Sequence, residues 1–107
     1  MEYRVFKKIV KDSIDAGLSV LGDGPKNAIV THFLRRHNLK SLEEVAEYPR
    51  EFEEFLKTVF GLGAPYLVKA IVKKMYENIG IDYISTEQGL TEAILEIKKM
   101  IQSVKRL

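Results

Sequence analysis

The chain has no cysteine and no tryptophan, and only three of its residues are proline. Without cysteine there is no disulfide, no thiolate metal site and no cysteine nucleophile. No apolar run approaches the roughly 18 residues that a spanning helix needs, so no membrane partner is expected. The N-terminus, Met-Glu-Tyr-Arg-Val-Phe-Lys-Lys, alternates charge with apolar residues and has no signal-peptide core, which reads as a cytoplasmic protein. Also missing are a nucleophile motif, a histidine near a serine partner and a glycine-rich loop after a strand. The sequence therefore reads as non-catalytic, with no cofactor.

What is present is enough for one globular domain over 1–107. The chain is 107 residues long, 46% hydrophobic and 30% charged, sufficient to bury a core without covalent staples. Abundant Ile, Lys and Glu without Cys or Trp fit a thermophile. The net charge of +2 is too small to imply a polyanionic partner. Its distribution is uneven: residues 1–40 carry a net +4, 41–60 a net −4 and 61–107 a net +2. Helix first turns, where the macrodipole favours negative charge, account for Glu43, Glu44, Glu51, Glu53 and Glu54. Together with Glu47 these carboxylates could hold a hard cation, but they lack the spacing of a calcium loop, and no metal site is expected.

The periodicity predicts an all-α compact bundle of five to six helices, over 2–21, 25–37, 42–48, 50–60, 64–79 and 86–106. Residues 51–71 organise it. An amphipathic helix carrying Phe52, Phe55, Leu56, Val59 and Phe60 stops at Gly61-Leu62-Gly63. A second helix restarts at Pro65, and Leu62, Leu67, Val68 and Ile71 lead out of the corner, so this apolar surface beside the glycines should make a closely packed elbow on the core.

The first helix has apolar residues around well over half its circumference. It is either central in the bundle or shared between the core and a partner, and Ser13 and Gly17 would let another helix approach closely. In Gly22-Asp23-Gly24-Pro25, Gly22 suits a helix end, Asp23 or Gly24 an N-cap and Pro25 the first helical residue. The second helix should bury Ile29, Val30, Phe33 and Leu34. His32 and His37 are five apart, on nearly opposite faces, whereas paired ligands need a spacing of four. Ser41-Leu-Glu-Glu44 is a capping box, Pro49 separates two helices, and Asn78-Ile79-Gly80 reads as a C-cap. Residues 81–86 are a candidate hinge, and Ser85-Thr-Glu-Gln88 reads as a second capping box.

Two surfaces are candidates for binding. The outer face of the 64–79 helix carries Tyr66, Lys69, Lys73 and Tyr76, joining positive charge to aromatic rings as nucleic-acid-binding faces do. Glu77, one turn from Lys73, also suits an ordinary solvated face. In the last helix Leu90, Ile94, Ile97, Ile101 and Val104 form a heptad seam of about two repeats, a candidate homodimer contact.

Residues 18–80 also carry a recognisable pattern. It runs Leu18-Ser-Val-Leu-Gly22, Phe33-Leu-Arg-Arg-His-Asn-Leu39, Ser41-Leu-Glu-Glu, Pro49-Arg-Glu-Phe-Glu-Glu-Phe-Leu56, Phe60-Gly61-Leu-Gly63-Ala64, Leu67-Val-Lys-Ala-Ile71 and Ile79-Gly80. This resembles a small helical domain of archaeal proteins, similar to the Nitrosopumilus-type output domain of archaeal signalling proteins. The resemblance implies a regulatory role through protein–protein contacts, with an unspecified protein partner and no catalytic or ligand residues to transfer. Nucleic-acid binding through the basic helix faces is the alternative.

Overall fold

The computed structural model of the chain describes residues 2–82 and 88–106. Among them there is no strand. Five α-helices form the bundle: α1 (Glu2–Leu18), α2 (Asp23–Arg36), α3 (Pro49–Phe60), α4 (Ala64–Asn78) and α5 (Leu90–Arg106). Short 3₁₀ segments at Ser19–Leu21, Leu42–Glu47 and Gly61–Gly63 join or separate them. The 42–47 segment, read as an α-helix from the sequence, is too short before Pro49 to leave the tighter form.

The wide apolar face of α1 makes it the hub, packed against α4, the 42–47 turn and α5. Phe6, Val10, Ile14 and Leu18 are fully buried. α4 can lie close because residue 17 is glycine. A Cβ there would sit 2.5 Å from Ile71 Cγ1 and 2.9 Å from the Ile71 backbone. One turn earlier, buried Ser13 accepts a hydrogen bond from the Asn78 side-chain amide at 3.0 Å. Residue 13 meets 78 and residue 17 meets 71, so α1 and α4 run antiparallel.

α4 then faces inward as its periodicity predicts. Ala64, Leu67, Val68, Ile71, Val72 and Met75 are buried and Ile79 is half-buried. α2 contributes less than the sequence suggests. Only Phe33 is fully buried, against Phe52 and Phe55 at ring-centroid distances of 4.9 and 5.2 Å, and Ile29, Val30 and Leu34 are half-covered. Each such fully buried apolar side chain stabilises the fold by about 1.5–3 kcal/mol.

Helix ends follow local chemistry. α2 begins at Asp23, two residues before the proline, with Gly22 as its N-cap at φ 88°. Pro25 still lies in the first turn, where its missing N–H has no helical partner. At the far end Leu39 N–H reaches the Leu34 carbonyl at 2.8 Å and Asn38 N–H reaches Arg35 at 3.2 Å, with Asn38 at φ 55°. α4 ends in the same Schellman pattern, Ile81 to Tyr76 and Gly80 to Glu77. The Ser41 capping box forms, with the Glu44 carboxylate accepting from the Ser41 and Lys40 backbone N–H groups. Those two bonds, the Lys40 one first, hold the Glu44 carboxyl below the usual range.

The start of α5 departs from the sequence reading, and residues 85–87 of the expected second capping box lie outside the described residues. The cap comes instead from α3. Glu53 accepts hydrogen bonds from Leu90 N–H at 3.1 Å, Thr91 N–H at 3.1 Å and the Thr91 hydroxyl at 2.7 Å. Glu53 is thus at a helix N-terminus, but not that of its own helix. At the other end of α1, the Tyr3 hydroxyl donates to Glu47, and the ring lies 5.5 Å from the Lys7 ammonium and 5.8 Å from that of Lys98 on α5. Burial, and then Glu47, raise the Tyr3 hydroxyl above its ordinary pKa.

Candidate functional site

The antiparallel pairing of α1 and α4 places the end of α1 and the start of α4 at one end of the bundle. The turns Ser19–Leu21 and Gly61–Gly63 lie there. Gly61 stops α3 at φ 53°, a left-handed conformation that disfavours any side chain, and a Cβ on it would meet nothing within 4 Å. Gly61 serves backbone direction, and a Cβ on Gly63, at φ −80°, would meet only Phe60 Cβ at 3.8 Å, so neither glycine makes a close approach and the expected packed elbow is corrected.

The residue between them is the anomaly. Leu62 is 95% exposed, Tyr66 80% and Val20 75%, with Val59 at 44%. Leu62 sits on the Gly61–Gly63 turn, and no described element covers it. The helical run Pro49–Asn78 is long and apolar enough to cross a membrane by length and composition, yet only 39% of its most apolar window is buried in the fold. Its inward half, including Phe52, Phe55, Leu56 and Ile71, is the core of the bundle, and the remainder collects at this end.

Charge is one-sided along the same stretch. From Phe55 to Tyr76 there are four lysines, Lys57, Lys69, Lys73 and Lys74, and no Asp or Glu. Lys57 pairs with Glu54 at 3.7 Å and Lys74 with Glu77 at 3.3 Å. Lys69 and Lys73 are exposed, with no ion pair to a described residue. Asp23, at the start of α2, is an exposed acidic group at this end; Asp15 is held by Lys26 at 3.0 Å.

Of the sequence candidates, Tyr66, Lys69 and Lys73 do share an exposed face. Tyr76 does not join them. It is 8% exposed, its ring in the core and its hydroxyl donating to Gln88 at 3.0 Å, because the ten residues from Tyr66 fall short of three full turns and leave position 76 about 80° round, at the edge of the inward stripe. The dimer seam is corrected in the same way. Leu90, Ile94 and Ile97 are at most 1% exposed inside this chain's own core, and Ile101 is half-covered. The Val104 side chain lies outside the described residues. Among the described residues of α5, Leu95 is the outward large apolar side chain, at 49%.

A second feature is a groove of about 310 Å³ between the end of α2 and α3, lined by Arg36, His37, Arg50, Glu51, Glu54, Phe55 and Thr58. Beside it the His32 ring stacks on Phe55 at 5.6 Å, and the His37 ring packs on Phe33 at 4.5 Å. Both histidines serve aromatic packing. Among the described residues no three of His, Asp and Glu are grouped as a metal site would need.

The sequence does not single out this end, because Leu62 in an apolar stretch reads as core. The signal that could have found it is the glycine on each side of a single leucine, which leaves no helical face to turn inward. No family model, no curated protein and no solved structure matches the chain.

Proposed function

We propose that the chain is a non-catalytic docking module of the archaeal signal-output kind, whose contact surface is the bundle end built around Leu62 and Tyr66. The observation that carries this reading is the 95% exposure of Leu62 on a turn where Gly61 holds it away from the core. A large apolar side chain held in water costs free energy that a contact would recover, and contiguous exposed apolar surface marks interaction sites. Val59 in the last turn of α3 and Tyr66 in the first turn of α4 flank Leu62 in the chain, and Val20 lies on the other turn at this end. The resemblance of residues 18–80 to signal-output domains points the same way.

Hydroxyl-radical footprinting of the full chain, alone and in extract of its source cells with membranes included, tests the reading. Leu62 and Tyr66 should lose reactivity in the extract while Leu95, on α5, keeps it. Unchanged reactivity at Leu62 with protection elsewhere would place the contact on another face. A nucleic-acid titration across salt concentrations supplies the contrast. Affinity that falls steeply with salt and ignores Leu62→Ala would favour nucleic-acid binding through Lys69 and Lys73.

A further inference from the structure

We infer that the partner of this end is the surface of an anionic lipid bilayer, into which Leu62 and its neighbours insert while the lysines of α4 meet the headgroups. The inference rests on the reading of this end as the docking surface and adds the class of its partner. Its warrant is an ordering along one axis. Leu62, the most exposed apolar residue, is at the tip. Tyr66 follows in the first turn of α4, then Lys69 and Lys73. At 1.5 Å of rise per residue, Lys69 lies about 4–5 Å and Lys73 about 10 Å beyond Tyr66 along the helix.

That succession of aliphatic tip, amphipathic aromatic and ammonium groups is the succession a bilayer presents from hydrocarbon through interface to headgroup. Interfacial elements bury their apolar face by about 5–10 Å, the depth this spacing allows. Lysines at the headgroup level are attracted by anionic lipid, by about 1 kcal/mol each near the surface. The sequence argument against a membrane partner concerned spanning, and a tip that enters one leaflet needs no run of 18 apolar residues.

The other occupants fit less well. A second copy of the chain meeting this end across a two-fold axis would bring Lys69 and Lys73 of both copies towards each other, with Asp23 the exposed acidic group at this end to offset them, since Glu54 is already paired with Lys57. Nucleic acid would gain from the lysines and the Tyr66 ring, but Leu62, Val20 and Val59 offer phosphates and bases little. A protein receptor would need a concave apolar pocket with an acidic rim.

The chain has no tryptophan, so Leu62→Trp installs a single reporter at the tip and Leu95→Trp a control on α5. Both full-length variants are titrated with unilamellar vesicles of phosphatidylcholine alone and of phosphatidylcholine mixed with phosphatidylglycerol. Emission from position 62 should shift to the blue on the mixed vesicles only, and position 95 should not shift. In co-sedimentation the unsubstituted chain should bind the mixed vesicles, and Leu62→Glu and Lys69→Glu/Lys73→Glu should each weaken binding about tenfold or more. Asp23→Asn should strengthen it. A circular-dichroism melt of each variant must match that of the unsubstituted chain. Where Leu62→Glu melts lower, Leu62→Asn replaces it and must show the same loss.

Three results would overturn the inference: no binding to mixed vesicles, binding that ignores position 62, or equal blue shifts at 62 and 95. If vesicles fail and footprinting still shows Leu62 protected by a protein in the extract, the lipid assignment is wrong and the docking module stands. If nothing protects Leu62, both fall.

Discussion

Glu53 of α3 holds the first turn of α5 through Thr91, accepting both its hydroxyl at 2.7 Å and its backbone N–H at 3.1 Å. The two residues are 38 positions apart. A carboxylate from one helix therefore acts as the N-cap of another, and it also joins the last helix to the rest of the bundle. Gly89 belongs to the arrangement, since a Cβ there would come within 2.8 Å of the Glu53 carboxylate.

Removing this cap should cost what removing an ordinary N-cap costs. Glu53→Ala is expected to lower stability by about 0.5–2 kcal/mol in urea unfolding. For a domain of this size a loss of 1 kcal/mol lowers the melting temperature by roughly 4–8 °C. Hydrogen exchange should accelerate first in the opening turns of α5. Equal acceleration in α1 and α5 would show that Glu53 stabilises the whole bundle and not one docking contact.

The same carboxylate gives a pH dependence of definite sign. Burial alone would raise its pKa, but the Thr91 hydroxyl and the Thr91 and Leu90 N–H groups outweigh burial and hold it below the usual range. A carboxylate depressed in the folded state binds protons more readily when unfolded. Its contribution is therefore present above the unfolded value, about 4.3, and is lost as pH falls through the folded one. Urea midpoints of the unsubstituted chain and Glu53→Gln should be separated at pH 7 and converge as pH falls below about 4. A separation that stays constant to pH 2 would mean the carboxylate charge contributes nothing.

Gly17 should reverse the ordinary helix rule. In an exposed helix, glycine to alanine stabilises by about 1 kcal/mol. Here the new methyl would sit 2.5 Å from Ile71 Cγ1, and 2.9 Å from backbone that cannot swing aside. Gly17→Ala is expected to destabilise by about 1–3 kcal/mol, the usual cost of overpacking. Gly17→Ala/Ile71→Ala should fall short of full recovery, because the backbone contact remains. A stabilised single variant would disprove the close approach of α1 and α4.

The buried part of the α5 seam makes a prediction about mass. Ile97 is 0% exposed within one chain, so Ile97→Ala should cost about 2–5 kcal/mol and leave the mass seen by light scattering unchanged. Leu95→Glu, half-exposed on the outer face, should change stability by less than about 0.5 kcal/mol. If Ile97→Ala instead lowered the mass and left the melt alone, the seam would join two copies and not one core.

Much of the bundle was legible because its signals are local. The capping box at Ser41 and Glu44, the stop at Gly80 and the breaks at Gly22, Pro49 and Gly61 each depend on a few neighbouring residues. The apolar breadth of α1 likewise announced either a hub or a shared helix, and it is packed on three sides. What stayed hidden was non-local or depended on exposure. Nothing near Glu53 in sequence indicates Thr91, and an apolar side chain at 62 looks like core until the backbone at Gly61 is seen to turn it outward. Tyr76 was misplaced for a smaller reason. A tyrosine on the edge of an apolar stripe can turn either way, and here its hydroxyl has Gln88 to donate to.

The Gly17–Ile71 contact also sets the order of events during synthesis. α1 emerges before α4, yet Ile71, the residue its glycine is shaped for, lies 54 residues later in the chain. At roughly 5–20 residues per second, the ribosome takes about 3–11 s to cover that distance, long on the timescale of helix packing. Through that interval Phe6, Val10, Ile14 and Leu18 have no α4 to cover them. Chains cut before residue 71 should accumulate as α1 bound to itself or to chaperones, and the nascent protein can close its core only after α4 has left the exit tunnel.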